Sequence, residues 1–534
     1  MSLDFIDLAS DYENALLQTG FGKFHLLLLA ICGLIYLNTA VGVTIISFVL
    51  PSATCDFKMT SSDKGWLSAS PMLGMLLGSY FWGCLADTKG RRIVLITTLL
   101  MDGIFGIISS VVPYYLIFIG IRFINGFNVA GTMSIVFPYL GEFQPTKYRE
   151  KILCWMELFW TFGIIILPGI AWSIIPLHIN IEYGSFHFHS WNLFVAICAI
   201  PSLISSILAS LSSTTARRNS KEMLIILGLW LFAFPESPKF LLEQGESDEA
   251  LNILVKMFTN NTGKQREEYP CSSLREPERL LQRVGEKKAI SLRIRKPKEL
   301  KLLLSEIWSQ TKTLGNVPYL ERTLLTCGIQ FCLTTSYYTL MVWFPELFQR
   351  FDEYDEVNPG MAASVCDVSS IVVSNSTFIV CDSAIDPQVF LHTIVIGLAC
   401  IPTSFWLPLC VHRLGVKFFL VFCLTAAGFV TTGLYFVRNS LENLILSSIF
   451  EALTSLSIST VYCVMVDLYP TNLRVMAAAM SMTIGRCGAL FGNLLFGFFI
   501  DLNCTVPIII FAAMLFISAY LCWLLPTTGL EALD

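Results

Sequence analysis

Twelve apolar runs, each about twenty residues long or longer, divide this chain and leave it few ways to fold. A helix needs about 20 residues to cross roughly 30 Å of hydrocarbon, and helical hydrogen bonding satisfies the backbone where no water can. The runs fall at 24–50, 65–85, 92–112, 114–137, 151–175, 191–234, 323–348, 389–411, 418–436, 441–466, 475–500 and 506–525. With 54% hydrophobic and 14% charged residues and a mean hydropathy of +0.65, the chain's main solvent is lipid. The expected fold class is an all-α membrane protein. Composition argues against a soluble enzyme and against nucleic acid as a partner. The 17 cysteines include no CxxC pair, and most lie inside apolar runs, where a thiol acts as a small hydrophobe rather than a zinc ligand. The first 23 residues are polar and acidic, so the first run is expected to stay as a signal anchor rather than be cleaved.

Lysine and arginine set the expected orientation, because they resist translocation. With the N-terminus inside, 26 of the 35 bases fall on the cytosolic side, sixteen of them between Pro235 and Arg322. The opposite side carries only Lys58, Lys64, Arg350 and Arg438. Both termini are therefore expected in the cytosol, with a bundle at 24–234, a cytosolic loop at 235–322 and a second bundle at 323–534. The sixth run is anomalous, since Arg217, Arg218 and Lys221 interrupt it. Read as two short spans it would invert everything downstream and translocate the sixteen-cation loop. An insertion near 209–226 is the expectation, because the flanks SSIL and LGLWLFAF join into one ordinary span.

EFQPTKYR (Glu142–Arg149) and DLYPTNLR (Asp467–Arg474) share an acid, a proline, a threonine and an arginine in register, 325 residues apart. GCLADTKGRR, from Gly83, and HRLGVK keep the same offset, Gly90 matching Gly415 and Arg92 matching Lys417. Two landmarks with one offset imply two six-span halves. An acid and bases at helix ends could pair with each other, or with a helix N-terminus, as the halves approach. The expected cytoplasmic gate is Gly83, Asp87, Gly90, Arg91, Arg92, Glu142, Arg149, Asp467 and Arg474. The plainer reading of each base is topological retention.

These motifs carry a resemblance. GCLADTKGRR resembles the cytoplasmic signature of the major facilitator superfamily, and FPESPKFLLEQGESDEA, from Phe234, is similar to the element after the sixth helix of its sugar and organic-ion porters. FVLPSATCDF, FHSWNLFVAICAIPS, LMVWFPELF and VDLYPTNLR resemble the synaptic vesicle glycoprotein 2 family more closely, from the first run to the eleventh. The resemblance implies two pseudo-symmetric six-helix bundles, with helices 1, 4, 7 and 10 lining a central cavity. It departs where that family carries first-span acids, for this chain reads LNTAVGVTIIS there, and where the family ends in PETRG, for this chain reads LPTTGLEALD.

The loop from Gln349 to Gln388 holds one base against seven acids and a glycosylation sequon at Asn375. Cys366 and Cys381 flank the sequon and could close a short disulfide loop; the alternative is two unrelated thiols. In the inner loop, Ser237 and Pro238 read as a helix cap and first turn, followed by short surface helices and a charged linker through which protein partners would engage.

Ionisable residues within spans cost roughly 2.5–3.5 kcal/mol at mid-helix, so each is a candidate. Counting 1.5 Å per residue puts Asp102 and Arg122 at one depth, and Glu451 and Arg486 at one depth. Of these, Arg122, Glu451 and Arg486 are expected in the substrate cavity. Trp160 and Trp343 resemble tryptophans of the vesicle family's cavity, the alternative for each being anchoring or packing. Glu451 is the expected replacement for the missing first-span acid. The leading function is a secondary transporter of a small organic solute, without cofactor or metal, in the plasma membrane or an intracellular vesicle. The competing reading is a glycoprotein that kept the fold and acts as scaffold, receptor or trafficking factor.

Overall fold

In the computed structural model the apolar runs become long helices, α1 to α12. The model describes residues 9–10, 12–177, 179–183, 186–215, 235–274, 308–309, 311–317, 319–357, 366, 368, 385–414, 416–469 and 471–525. The first half holds α1 (Lys23–Ser52), α2 (Ser61–Lys89), α3 (Arg91–Ser109), α4 (Tyr115–Glu142), α5 (Thr146–Ile174) and α6 (Ser190–Thr215). The second holds α7 (Leu320–Val357), α8 (Pro387–Leu414), α9 (Val416–Leu434), α10 (Ser440–Leu468), α11 (Thr471–Asn503) and α12 (Thr505–Leu524). "Inner" and "outer" below name the ends that the base distribution assigns to the cytosol and its opposite.

Local chemistry fixes the helix limits. A reciprocal cap starts α2: Thr60 Oγ1 accepts from the Asp63 amide, and Asp63 Oδ2 accepts from the Thr60 amide at 2.9 Å. Gly90, at φ +102°, makes the turn into α3, a conformation that a side chain would resist. Among the described residues nine helices are long and apolar enough to cross a membrane on those two properties alone. The other three are α2, α6 and α7. The described side chains of α6 give only a shorter apolar stretch, Ser190–Ser206. α2 and α7 carry charge at their outer ends, and that charge is buried between the halves.

The repeat extends well beyond the two quoted landmarks. Adding 325 to the limits of α2, α3, α4 and α5 gives 386–414, 416–434, 440–467 and 471–499. The observed α8, α9, α10 and α11 are Pro387–Leu414, Val416–Leu434, Ser440–Leu468 and Thr471–Asn503. Within each half α2 packs on α4 and α7 on α11; between the halves α2 packs on α11 and α5 on α8. Glycines permit the closest crossings: a Cβ on Gly74 would lie 2.0 Å from the Phe123 carbonyl oxygen, and one on Gly497 would lie 2.5 Å from Gly65 Cα.

Several elements differ from expectation. α7 continues to Val357, nine residues past the expected limit at 348, because Arg350 and Phe351 are buried and extend its packed face. A hairpin pairs 180–183 with 186–189 on the outer side, where none was expected. α6 runs unbroken to Thr215, past the expected start of the insertion, and 216–234 lie outside the described residues. In the inner loop Ser237 caps the helix Pro238–Glu243, its Oγ accepting from the Phe240 amide. A second helix, Ser247–Thr262, packs on the N-terminal segment: Tyr269 donates to the Ala15 carbonyl at 2.7 Å, and Asn261 Oδ1 accepts from the Phe24 amide.

The disulfide expectation is corrected. Cys366 is joined to Cys504, at the α11–α12 turn, and not to Cys381, which lies outside the described residues, as does Asn375. Sequence proximity favours a short loop, whereas the fold carries Cys366 onto a turn 138 residues away. Cys55 is disulfide-bonded as well. Non-reducing peptide mapping should recover a peptide pair joining Cys366 to Cys504; a Cys366–Cys381 pair would contradict this.

Candidate functional site

At mid-height an aromatic seam joins the halves. On the first-half side Tyr36 of α1 lies tilted against Trp160 of α5, ring centroids 5.3 Å apart, and meets the Phe137 ring of α4 edge-on at 4.9 Å. From the second half Tyr337 of α7 enters the same buried cluster, beside Trp160. Next to Tyr337 sits Glu451 of α10, only 1% exposed, with no well-formed hydrogen bond on either carboxylate oxygen and the Tyr337 hydroxyl as its neighbouring donor. Glu157 of α5, partly exposed, faces Ser459 of α10, and Tyr338 lies within electrostatic reach of Glu157, Glu451 and Arg486. Arg486 reaches from α11 into the first half, donating to the Met75 carbonyl at 3.2 Å and contacting Met133 Sδ at 3.7 Å. Glu451 and Arg486 share the seam without forming an ion pair.

The outer end is sealed by four charges that sequence reasoning did not connect. Glu346 Oε1 of α7 accepts from Lys64 Nζ of α2 at 2.5 Å and from Arg350 Nε at 3.1 Å. Arg350 also donates to Asp501 of α11 at 3.1 Å and to Ser61 Oγ of α2 at 2.8 Å. Glu353 of α7 lies within electrostatic reach of both bases, and Lys64, Glu346 and Arg350 are almost wholly buried. Beneath this cluster Gly65 and Gly497 bring the α2 and α11 backbones into contact. A signal was available: two of only four outer bases sit here, and Glu346 lies within LMVWFPELF.

At the inner end the described side chains form a polar network in the first half. Arg91 pairs with Glu142 at 2.9 Å and reaches Asp87 at 3.5 Å. Glu236 Oε1 accepts from the Arg91 and Arg92 amides at 3.0 and 3.2 Å, capping α3, and Ser237 Oγ donates to Glu142. Burial pushes the Glu236 carboxyl above its ordinary range, against the pull of those N–H donors. Arg149 donates to the Gly141 and Gln144 carbonyls, closing the C-terminus of α4, and touches Glu13. A Cβ at Gly83 would meet open space. The described contacts of the first-half gate residues join α2, α3 and α4 to the segment after α6. The side chains of Asp467 and Arg474 lie outside what the structure describes.

Two cavity expectations are also corrected. Arg122 is turned into the first half: its Nη2 donates to Ser109 Oγ at 3.1 Å and its guanidinium lies 5.0 Å from the Phe118 ring centroid. Asp102 is held nearby by Asn125 and Ser202, the latter also accepting from Asn38. Trp343 is fully buried in the second half, its Nε1 donating to Asn493 Oδ1 and its ring 4.9 Å from Phe496. Depth counting gives the height of a residue on its helix but not the face it occupies.

Two bundles related by a repeat and meeting along α2/α11 and α5/α8 define a class. The chain belongs to the Major Facilitator Superfamily, whose family model matches residues 32–409. It is an integral membrane protein of that family. It is 32% identical over 357 residues to Synaptic vesicle glycoprotein 2B of Homo sapiens, covering 65% of this chain and 48% of that protein. Synaptic vesicle glycoprotein 2A of Rattus norvegicus is 32% identical over 367 residues, covering 65% and 45%. The chain spans about half the length of these relatives. Among solved structures, the partially occluded inward-open conformation of the xylose transporter XylE from E. coli aligns with TM-score 0.63 at 17% identity, covering 94% of this chain and 98% of that one. A D-xylose-proton symporter aligns with TM-score 0.61 at 15% identity, covering 95% and 99%. At these identities the likeness is one of fold.

Proposed function

We propose that the protein moves a small organic solute across its membrane by alternating access, the two halves rocking about the Trp160–Tyr337–Glu451 seam, with both termini in the cytosol. One observation carries this reading. A carboxyl group buried at the meeting of the halves, with no counter-charge and no well-formed hydrogen bond, destabilises a resting fold, and intramembrane acids of this kind mark transport pathways. The outer lock fits the same reading, because an ion cluster between rigid bundles has two natural states, made and broken. The neighbouring porters of the same fold, a xylose transporter among them, make solute movement the expected use of such a seam.

Purified protein in liposomes should accumulate at least one solute from a panel of organic cations, anions and sugars. Glu451→Gln should cut the initial rate at least tenfold. Uptake that the substitution leaves intact would remove Glu451 from the site. The absence of uptake across the panel, together with capture of specific partner proteins, would favour the scaffold reading, which the missing first-span acid at Thr39 and Gly42 keeps in view.

A further inference from the structure

We infer that the solute is a monocationic amine, its ammonium group set against Glu451 and its organic part against Trp160 and Tyr337. The inference deepens the transport reading and rests on it. It begins from charge. Three groups of buried charge matter here among the described residues. In the outer cluster every acid has a base at hand: Lys64 and Arg350 stand among Glu346, Asp501 and, within electrostatic reach, Glu353. The first-half pair, Asp102 and Arg122, is neutral and closed off among Asn125, Ser202 and Ser109. The seam holds Glu157 and Glu451 against Arg486 alone, leaving one carboxylate in excess.

Geometry says which carboxylate is in excess. Arg486 is directed away from Glu451, onto the Met75 carbonyl and Met133 sulfur across the interface, which leaves Glu451 with the Tyr337 hydroxyl as its neighbouring donor and no counter-charge. An ionised carboxylate without a counter-charge is costly in a low-dielectric site, and a bound cation removes that cost. The surroundings suit an organic cation rather than a metal ion. Among the described residues no group of three or more His, Cys, Asp or Glu side chains could hold a metal. Instead the acid neighbours Tyr337, which Trp160 and Tyr36 back in one aromatic cluster, and aromatic faces attract an ammonium that has shed part of its water. A neutral sugar would leave the acid uncompensated, and an anion would face it directly.

The test uses three probes of one shape: phenethylamine, phenethyl alcohol and phenylacetate. Equilibrium binding to the purified full chain in lipid nanodiscs should rank the amine at least tenfold tighter than the alcohol, with the acid weakest. Glu451→Gln should lower amine affinity at least tenfold while leaving the alcohol within about twofold, and Glu451→Asp should restore part of the loss. The probe series on the unmodified protein stands even if a Glu451 variant fails to fold. Failure of the amine to bind, equal binding of amine and alcohol, or full amine affinity in Glu451→Gln each overturn the inference, the last by leaving Glu451 a protonated structural group. The transport reading is checked separately by thiol labelling of Ser68→Cys from the outer side. Alternating exposure of that position without amine preference sinks the cation assignment alone; a position that never becomes exposed sinks transport itself.

Discussion

Valine at position 497 is expected to hold the outer ends of the two halves apart. A Cβ there would lie 2.5 Å from Gly65 Cα and 2.8 Å from both the Gly65 amide nitrogen and the Ser61 carbonyl oxygen. These are backbone atoms of a helix in the opposite half, so no side-chain rotation relieves the clash. Overpacking costs about 1–3 kcal/mol in a well-packed site. At the upper figure the closed outer state should fall roughly a hundredfold relative to the open one. Ser68, one turn below Lys64 and buried, reports the change. Ser68→Cys should become reactive to a membrane-impermeant thiol reagent from the outer side in Gly497→Val, and solute uptake should drop. Unchanged reactivity would mean that α2 and α11 do not separate.

The same substitution at Gly74 should do something different. A Cβ on Gly74 would lie 2.0 Å from the Phe123 carbonyl oxygen and 2.8 Å from the Phe127 amide, at the crossing of α2 and α4. That crossing lies inside the first half and is present whichever way the halves rock. Gly74→Val therefore removes about 3 kcal/mol or more from folding itself rather than from one conformation. The expected result is loss of the monodisperse peak in size-exclusion chromatography of detergent-solubilised protein. Full recovery of folded protein would show that the α2–α4 contact is looser than described.

Much of this architecture is written in the chain's hydropathy. Apolar runs mark nine helices plainly, α6 being the run that a basic stretch interrupts, because lipid leaves helical hydrogen bonding as the only solution for them. The runs at α2 and α7 were legible too, although α7 reaches nine residues further, because polar side chains can be buried against another bundle as well as in a loop. The offset of 325 gave the two halves from six matched pairs in two short landmarks, and the helix limits then repeat it along four helices. What the sequence hides is direction. Arg122 and Glu451 look alike as isolated charges in apolar runs, yet one turns into its own bundle and the other onto the seam. Lys64 and Arg350 read as outer-loop bases when counted for topology, and only packing brings them to Glu346 and Asp501. Glu236 was quoted within FPESP, but its role as a cap on α3 needs the turn at Gly90 to bring it there. Cys504 lies 138 residues from its partner, beyond any local inference.

The account depends on two rigid halves that part and close at the outer end. Spin labels at Trp66 of α2 and Leu502 of α11, both exposed and on opposite halves, measure that gap by pulsed electron resonance in lipid. The unmodified protein should show a short distance. Glu346→Gln removes one side of a buried pair, a change that costs about 3–5 kcal/mol, and should add a population several ångströms longer. One distance, unmoved by Glu346→Gln or by Gly497→Val, would contradict the account.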